Sequence, residues 1–577
     1  MPKSDADAMP APAVPVRVVR AGDNWRLERG GQPYVLRGVG YKAELDALVA
    51  SGGNAIRTWG IGDDTRALLD EAWAKGVSVT LGLWLGHTEH GFDYSDKAAV
   101  ARQHALIRQQ VERFKDHPAL LMWGVGNEVE LEGGDDPNIW RAIEDVARMI
   151  HEVDPHHPTM VVTAEIGETF HERLKTLCPS IDIWGINSYG GAPSLPRRLS
   201  MSDWSGPIVL TEFGGHGDWE RPKLPWGATK EQTSTEKAAA YRQSFQAVSN
   251  DPRTVGTFAF LWGPSERPTD TWFGLFGPKG IRYEATDVLA ELWDKPVPDR
   301  APSIVAWRAE DTAASKPLDG AIVGPGVPLV ATLVAKDPEG QPVTHDWILH
   351  HDTITSAGAG PAVQCKTASG PRFETRAPAM PGPYRLLAVS RDPAGGAAFA
   401  SARFHVGQPT AKSPSIALPL WVDGAFAPSG WMGDASAGGV KMNDCPARSD
   451  YCAGPCRKFE VRRGTQGWSG VVWHHPEGNW KGDRPGIRIP ASARFVTFKA
   501  WGARGQERVN FAVGNQEVDG LEMSRSIVLT STPTSYRLDI SGYTWSDIAY
   551  GFLWTAAPEA DEVLQFYVAD ITWTAGP

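Results

Sequence analysis

Two short apolar runs in this chain each lead into a glutamate. Leu120-Leu-Met-Trp-Gly-Val125 continues through Gly126 and Asn127 to Glu128, and Ile208-Val-Leu-Thr211 runs directly into Glu212. A carboxylate emerging from a buried strand is costly unless it is partnered or at work. One such residue alone is equally well read as a salt-bridge partner or a helix cap. Two of them, with Arg57, Asn127, Tyr189 and Trp262 at the ends of other apolar runs, point to paired-carboxylate chemistry. Glycosidic bond cleavage needs that pair: one carboxyl group protonates the leaving oxygen, and the other attacks the sugar or activates water.

The ends of the remaining runs supply residues that would hold a substrate. One run ends Ile56-Arg57-Thr58-Trp59, the next gives Trp84 and then His87, and later runs give Glu165 and Asn187-Ser188-Tyr189. The candidate binding set is Arg57, Trp59, Trp84, His87, Asn127, Glu165, Asn187, Tyr189 and Trp262. An arginine beside either carboxyl group would favour its charged form. The charge of one such carboxylate would in turn favour the protonated form of the other. Retention of anomeric configuration follows if the two carboxyl groups lie about 5–5.5 Å apart. Trp204, Trp219 and Trp226 offer further flat faces, with packing under a loop as the alternative for each. His216 is balanced in the same way between contact and structure. His87 and His90 lack the helical H-E-x-x-H order, so no metal site is expected there. Asp63 and Asp64 read as the cap of the helix that follows.

These side chains need a scaffold that brings strand ends together. From Val16 to Pro296, short apolar runs alternate with amphipathic segments, the pattern of repeated β/α units. Strands are expected at Tyr34–Gly40, Asn54–Trp59, Val77–Trp84, Leu120–Asn127, Thr159–Ala164, Ile183–Asn187, Ile208–Glu212 and Thr254–Trp262. Helices are expected at Asp64–Lys75, Lys97–Lys115, Ile139–Val153, Glu168–Leu177 and Ser234–Ser249. This count and length fit an α/β (β/α)8 TIM barrel over residues 16–296, whose functional side chains sit at the C-terminal strand ends. An open doubly wound sheet is the alternative, but no Gly-rich nucleotide turn follows the first strand. Residues 1–15, rich in Ala, Pro and Asp, read as a disordered segment. Val297–Pro302 reads as a linker to an immunoglobulin-like β-sandwich at 303–406. A second linker, Gly407–Leu418, leads to a jelly-roll β-sandwich at 419–577.

Over roughly residues 30–295 the chain resembles the clan A glycoside hydrolases. Trp123-Gly-Val-Gly-Asn-Glu128 and Leu210-Thr-Glu-Phe-Gly214 carry the resemblance. It implies that Glu128 is the acid/base and Glu212 the nucleophile. It also implies that Arg57 bonds the nucleophile, Asn127 meets the sugar 2-hydroxyl, Tyr189 is an aromatic partner of the nucleophile, and Trp262 floors the nonreducing-side subsite. Within the clan the strand patterns are similar to families 2 and 5 and to the glucanosyltransferase barrels. The N-terminal β-sandwiches typical of family 2 are missing. The third block, with Trp473-His-His-Pro-Glu-Gly-Asn-Trp480 and Phe498-Lys-Ala-Trp-Gly-Ala-Arg504, resembles a galactose-binding-like sandwich. That resemblance implies glycan or calcium binding, through Trp473, Trp480 and Trp501 or through Asp444 or Asp483, against core packing of the same tryptophans.

Composition bounds the partners. The chain has 577 residues, enough for about three or four domains. It is 42% hydrophobic and 22% charged, which excludes general disorder. A net charge of −11 without a basic stripe argues against nucleic acid, and no apolar run reaches the ~20 residues of a membrane helix. Tryptophan is in excess, at 24 residues, which suits sugar stacking. Cys445, Cys452 and Cys456 lie close together; zinc lacks an obvious fourth ligand, so one local disulfide with a spare thiol is expected. No cofactor is expected. Met1 to Pro15 lacks the apolar stretch of a signal peptide, yet the layout reads as an extracellular or periplasmic protein whose signal has been removed. The sequence thus points to a retaining β-glycoside hydrolase acting on an oligo- or polysaccharide, with β-glucan the first substrate to test. Transglycosylation by the same two glutamates and a non-catalytic glycan-binding protein are the competing readings.

Overall fold

The computed structural model describes residues 12–576 apart from 89–91, 132, 135, 168, 225, 227, 266–268, 353–361, 369, 408–417, 446–455, 483, 544, 546 and 560–561. His90, Cys452 and Asp483 therefore lie outside the described residues. Three short antiparallel strands come first: β1 (Val16–Ala21), β2 (Asn24–Arg29) and β3 (Gln32–Tyr34). The sequence reading placed this stretch inside the barrel. Instead Val16 and Leu27 pack against Leu36, Leu121, Met160, Val209 and Phe258, residues of the barrel strands. A three-stranded sheet has one apolar face to bury, and this one uses it to close the barrel floor.

Eight parallel strands then form a closed barrel in sequence order around the ring. They are β4 (Leu36–Tyr41), β5 (Ala55–Arg57), β6 (Ser78–Leu83), β7 (Leu120–Val125), β8 (Thr159–Ala164), β9 (Ile183–Asn187), β10 (Ile208–Phe213) and β11 (Thr254–Trp262). Strands buried on both faces read as continuous apolar runs. Between them lie α1 (Leu45–Ala50), α2 (Thr65–Ala74), α3 (Lys97–Phe114), α4 (Pro137–Val153), α5 (Phe170–Leu177), α6 (Leu195–Ser200) and α7 (Ser234–Ser249), with α8 (Glu284–Leu292) after β11. Local signals set several of these starts. Asp136 accepts from the Asn138 N–H ahead of Pro137, and Thr233 with Glu236 forms a capping box on α7. The expected cap at Asp63-Asp64 is not made: Thr65 Oγ1 takes the Gly62 N–H instead, and both aspartates pair with the third domain.

Two antiparallel β-sandwiches follow. The first is welded to the barrel rather than strung from it. Arg282–Tyr283, between β11 and α8, pairs in parallel with the strand Gly396–Val406 of the sandwich. The Pro-rich stretch expected as a linker is also fixed, since the Ala301 N–H donates to Asp287 at 2.7 Å. Beneath these contacts lies a buried polar cluster. Glu231 receives Lys237 at 2.7 Å and Arg385 at 2.9 Å, and Arg385 reaches Asp270 at 2.8 Å. Lys237, pushed down to about 8 by burial, keeps its proton near neutrality because Glu231 faces it. The second sandwich has its own core around Phe459, Phe511, Phe552 and Trp554. Ten of the 24 tryptophans are fully buried, Trp473 among them, so a large share of them is core rather than sugar platform.

The buried cluster makes the barrel and the first sandwich one unit. Replacing Arg385 with methionine strips the guanidinium from two buried carboxylates, and removing one partner of such a cluster costs about 3–5 kcal/mol. A clear fall in the urea midpoint of the barrel transition, followed by tryptophan fluorescence, is expected, whereas Arg462→Met at the exposed contact with the third domain moves that midpoint little.

Candidate active site

The two glutamates come together at the C-terminal mouth of the barrel, held by one continuous polar network. Glu212, at the end of β10, is 6% exposed and accepts three bonds. Arg57 Nη1 and Trp59 Nε1 each donate to Oε1 at 2.9 Å, and the Tyr189 hydroxyl donates to Oε2 at 2.7 Å. Burial, with Glu212 close by, pushes the Tyr189 hydroxyl well above its ordinary range, so it stays protonated and donating. Arg57 is itself buried, and its other amino group donates to Asn127 Oδ1 at 2.5 Å. The Asn187 amide completes the link, donating to Glu128 Oε1 at 2.7 Å and to Asn127 Oδ1 at 3.2 Å. Asn187 is fixed in turn by the Thr211 hydroxyl at 2.7 Å.

The chain bends sharply to present Glu128. Gly126 lies at φ 71°, where a Cβ would press on Val129, and Glu128 itself lies at φ 53°. A non-glycine residue in that region costs about 1–2 kcal/mol and is held only by its surroundings. Here the Glu128 N–H donates to the Val162 carbonyl at 2.8 Å, locking the bend onto β8. Two residues on, Glu130 is buried and accepts from the Ala164 N–H at 2.6 Å. Burial, with a smaller contribution from Glu128, pushes the Glu130 carboxyl up to about 8, so it is neutral at physiological pH. Sequence reading missed Glu130, because nothing in V-E-L-E marks which glutamate is covered.

The aromatic wall differs from expectation at one point. Trp262 is fully buried, donates its indole N–H to the Glu44 carbonyl at 2.9 Å, and packs on Phe276 and Trp293. Its indole therefore presents no open face at the mouth. Phe260 takes the inward position, 5.6 Å from the Trp59 ring and 6.0 Å from Tyr189, the two aromatic partners of Glu212. The reason is a register shift between Ala259 and Trp262 against β4, which moves Trp262 off the strand's regular alternation.

The other candidates divide. Trp84 lies at the rim, 49% exposed, with its ring stacked at 4.9 Å on His87, which is buried. Glu165 is engaged by Arg198 at 2.7 Å and by the Ser188 hydroxyl, which ties it to the loop after β9. Trp204 packs under a loop against Trp184, and Trp226 lies against His405 of the first sandwich, so neither reaches the mouth. His216 serves through its backbone, accepting from Trp272 and donating to Gln232. Trp219, at 63% exposure, stands edge-on to Tyr189 at 5.4 Å. Glu220 braces its turn, accepting from the Gly190 and Gly217 N–H groups at 2.8–3.0 Å. Among the described residues no cluster of metal-ligating side chains is present.

Comparison with known proteins finds partial matches. Residues 67–216, which include both glutamates, match the model of the glycosyl hydrolases family 2 TIM barrel domain. Mannan endo-1,4-beta-mannosidase F of Aspergillus clavatus is 23% identical over 207 residues, 31% of this chain and 46% of that protein. Probable mannan endo-1,4-beta-mannosidase A-2 of Aspergillus terreus is 24% identical over 219 residues, 33% of this chain and 54% of that protein. The chain thus spans about half the length of the curated relatives it matches. Among solved structures, beta-glucuronidase 2 of Bacteroides uniformis aligns with 97% of this chain and 67% of its own, at 12% identity and a TM-score of 0.40. The closed eight-stranded barrel of this chain is thus similar, over residues 67–216, to the glycosyl hydrolases family 2 TIM barrel domain.

Proposed function

We propose that the chain is a retaining β-glycoside hydrolase that cleaves a neutral β-linked polysaccharide by double displacement. The observation that carries this reading is the division of donors at the mouth. The site's arginine, Arg57, serves Glu212 together with Trp59 and Tyr189, while the Asn187 amide, a neutral donor, serves Glu128. A guanidinium and two further donors fix both carboxylate oxygens of Glu212 in place, the positioning a nucleophile needs. Glu128, joined to the Arg57–Glu212 pair through Asn187 and Asn127 across the mouth, is the second carboxyl group, suited to carry a proton to the leaving oxygen.

Glu212 attacks the anomeric carbon while Glu128 protonates the departing oxygen, leaving a glycosyl ester on Glu212. The ester is neutral, so Glu128, now a carboxylate, meets less repulsion and draws a proton from water. The water attacks the same carbon and frees Glu212, and two inversions give net retention. Glu130 remains uncharged beneath Glu128 during this cycle and adds no second negative charge to the acid/base. The relatives' names favour β-1,4-mannan as the polymer, to be set beside β-glucan. Transfer to a sugar acceptor is a second reading, favoured by exposed Trp84 and Trp219, each of which offers a face to an acceptor ring. Export fits the cysteines: Cys445 is bonded to Cys456, and Cys365 is disulfide-bonded as well, pairings that persist in oxidising compartments.

Incubation with β-mannans and β-glucans, with products followed by mass spectrometry, should give shorter sugars. Glu212→Gln should lower turnover by at least about a thousandfold, and Glu128→Gln by about a hundred- to ten-thousandfold. Full activity in either variant would sink the assignment. Phe260→Ala should reduce kcat/KM about tenfold or more on short substrates, while Trp262→Phe should chiefly lower stability; the reverse pattern would restore Trp262 to the subsite.

Glu130 makes a separate pH prediction. Its folded-state value is raised from about 4.5 to about 8, so below about 4.5 its burial carries no ionisation cost. Stability is then lost as pH rises through that window, by up to about 1.4 kcal/mol per pH unit. Thermal melts of wild type and Glu130→Gln between pH 5 and pH 8 should diverge, the variant gaining relative to wild type toward pH 8. Parallel curves would show that Glu130 does not carry the proton.

A further inference from the structure

The turn after β11 is gripped by the first sandwich at one end and enters the mouth of the barrel at the other. Arg385 lies on the sandwich strand Gly382–Arg391, opposite Arg403 on the strand Gly396–Val406. Its guanidinium is buried and donates to Asp270 Oδ1 at 2.8 Å, to the Thr271 hydroxyl at 2.5 Å and to Glu231 Oε2 at 2.9 Å. Thr271 is held twice more. Its hydroxyl donates to Glu231 Oε1 at 2.7 Å, and its carbonyl accepts from Lys237 Nζ at 2.9 Å. Arg403 lies 6.0 Å from the centre of the Trp272 ring, whose N–H donates to the His216 carbonyl at 2.9 Å.

Phe273, the next residue, turns toward the nucleophile. Its ring lies 5.3 Å from Tyr189, 5.4 Å from Phe260 and 6.2 Å from exposed Trp219. Tyr189 is the residue whose hydroxyl donates to Glu212 at 2.7 Å. The path from the sandwich to the nucleophile is therefore short: Arg385 bonds Thr271, the backbone carries on to Phe273, its ring packs on Tyr189, and Tyr189 bonds Glu212. Residues 269–273 form no helix or strand, so side-chain contacts rather than a backbone ladder fix where Phe273 stands.

A contact that only joined two domains has no reason to fall on this turn. A buried ionic cluster is also a poor source of net stability, because the cost of desolvation offsets most of the attraction. What a guanidinium supplies is geometry, since its planar fork holds several acceptors in fixed relative positions. We infer that Arg385 is a positioning residue for the barrel's site: from the sandwich it fixes the turn 270–273, and through Phe273 it sets the ring of Tyr189 and the hydrogen bond that Tyr189 gives Glu212. The first sandwich is then part of the catalytic apparatus rather than a spacer. This rests on the glycosidase reading of the site.

The test compares Arg385→Lys, Phe273→Leu and the two combined, all in the full chain and checked for folding by circular dichroism. Lysine keeps the charge but cannot span Glu231, Thr271 and Asp270 together. Leu333→Ala, a core change in the sandwich's other sheet, is the control for lost stability. On the glycan that wild type cleaves, Arg385→Lys should lower kcat about tenfold with KM changed less than about twofold. Adding it to Phe273→Leu should lower kcat no further, while the two shifts in urea midpoint add. Thr271→Val, which removes only the hydroxyl that Arg385 holds, should show the same pattern and serves if Arg385→Lys does not fold. Effects on kcat that multiply, or an equal loss of kcat in Leu333→Ala, would overturn the inference and leave the glycosidase reading intact. Amide hydrogen exchange reads the same link without turnover: the peptide carrying Tyr189 should exchange faster in Arg385→Lys than in wild type or Leu333→Ala. Unchanged exchange there would overturn the inference. Faster exchange in a chain that cleaves no β-glycan would instead remove the glycosidase reading and keep the link from Arg385 to Tyr189.

Discussion

The buried pairing of Arg57 with Glu212 is the interaction on which the rest of the site depends. Each group would be costly in a barrel mouth without the other, and a desolvated ion pair holds only when its remaining hydrogen-bonding capacity is also used. Here it is used in full view of the chemistry. Trp59 and Tyr189 take up the carboxylate, and Asn127 takes the second arm of the guanidinium. Through Asn127 and Asn187 the same network reaches Glu128, so the two carboxyl groups are positioned relative to each other by polar contacts that cross the mouth. Displacing any one member strands a buried polar partner, which keeps the arrangement rigid.

That rigidity is supported from three sides. The N-terminal sheet closes the floor, so the mouth is the open end of the barrel. The first sandwich grips the segment after β11 by strand pairing and by the Glu231–Lys237–Arg385–Asp270 cluster. The third domain reaches the Trp59 loop through two exposed ion pairs, contacts worth little singly and able to yield. The strongest bracing lies beneath the barrel and beside it, and the weakest lies at the rim where a long substrate would enter.

Much of this was legible because barrel strands are written as apolar runs and their ends as polar residues. Glu128, Glu212, Arg57, Asn127, Asn187 and Tyr189 all meet in space, since each immediately ends or follows such a run. The inward position of Phe260 was not legible because a register shift alters which residue of Phe260-Leu261-Trp262 points inward, and periodicity assumes an unbroken ladder. Asp63 and Asp64 looked like a helix cap because their partners, Arg462 and Lys441, lie in a different domain. Residues 16–33 were included in the barrel domain with no element of their own, and they form most of the three-stranded sheet packed against its floor. Glu130 was invisible because burial of one glutamate among neighbours is a tertiary property.

The central claim, that Glu212 forms a covalent bond to the sugar, can be tested by trapping. A 2-deoxy-2-fluoro glycoside of the cleaved sugar, carrying a good leaving group, slows breakdown of the glycosyl-enzyme more than its formation can compensate. Peptide mapping by mass spectrometry after such treatment should find one sugar increment, on the peptide containing Glu212. An increment on another carboxylate, or continued turnover of substrate with inversion and no labelled peptide, would contradict the account.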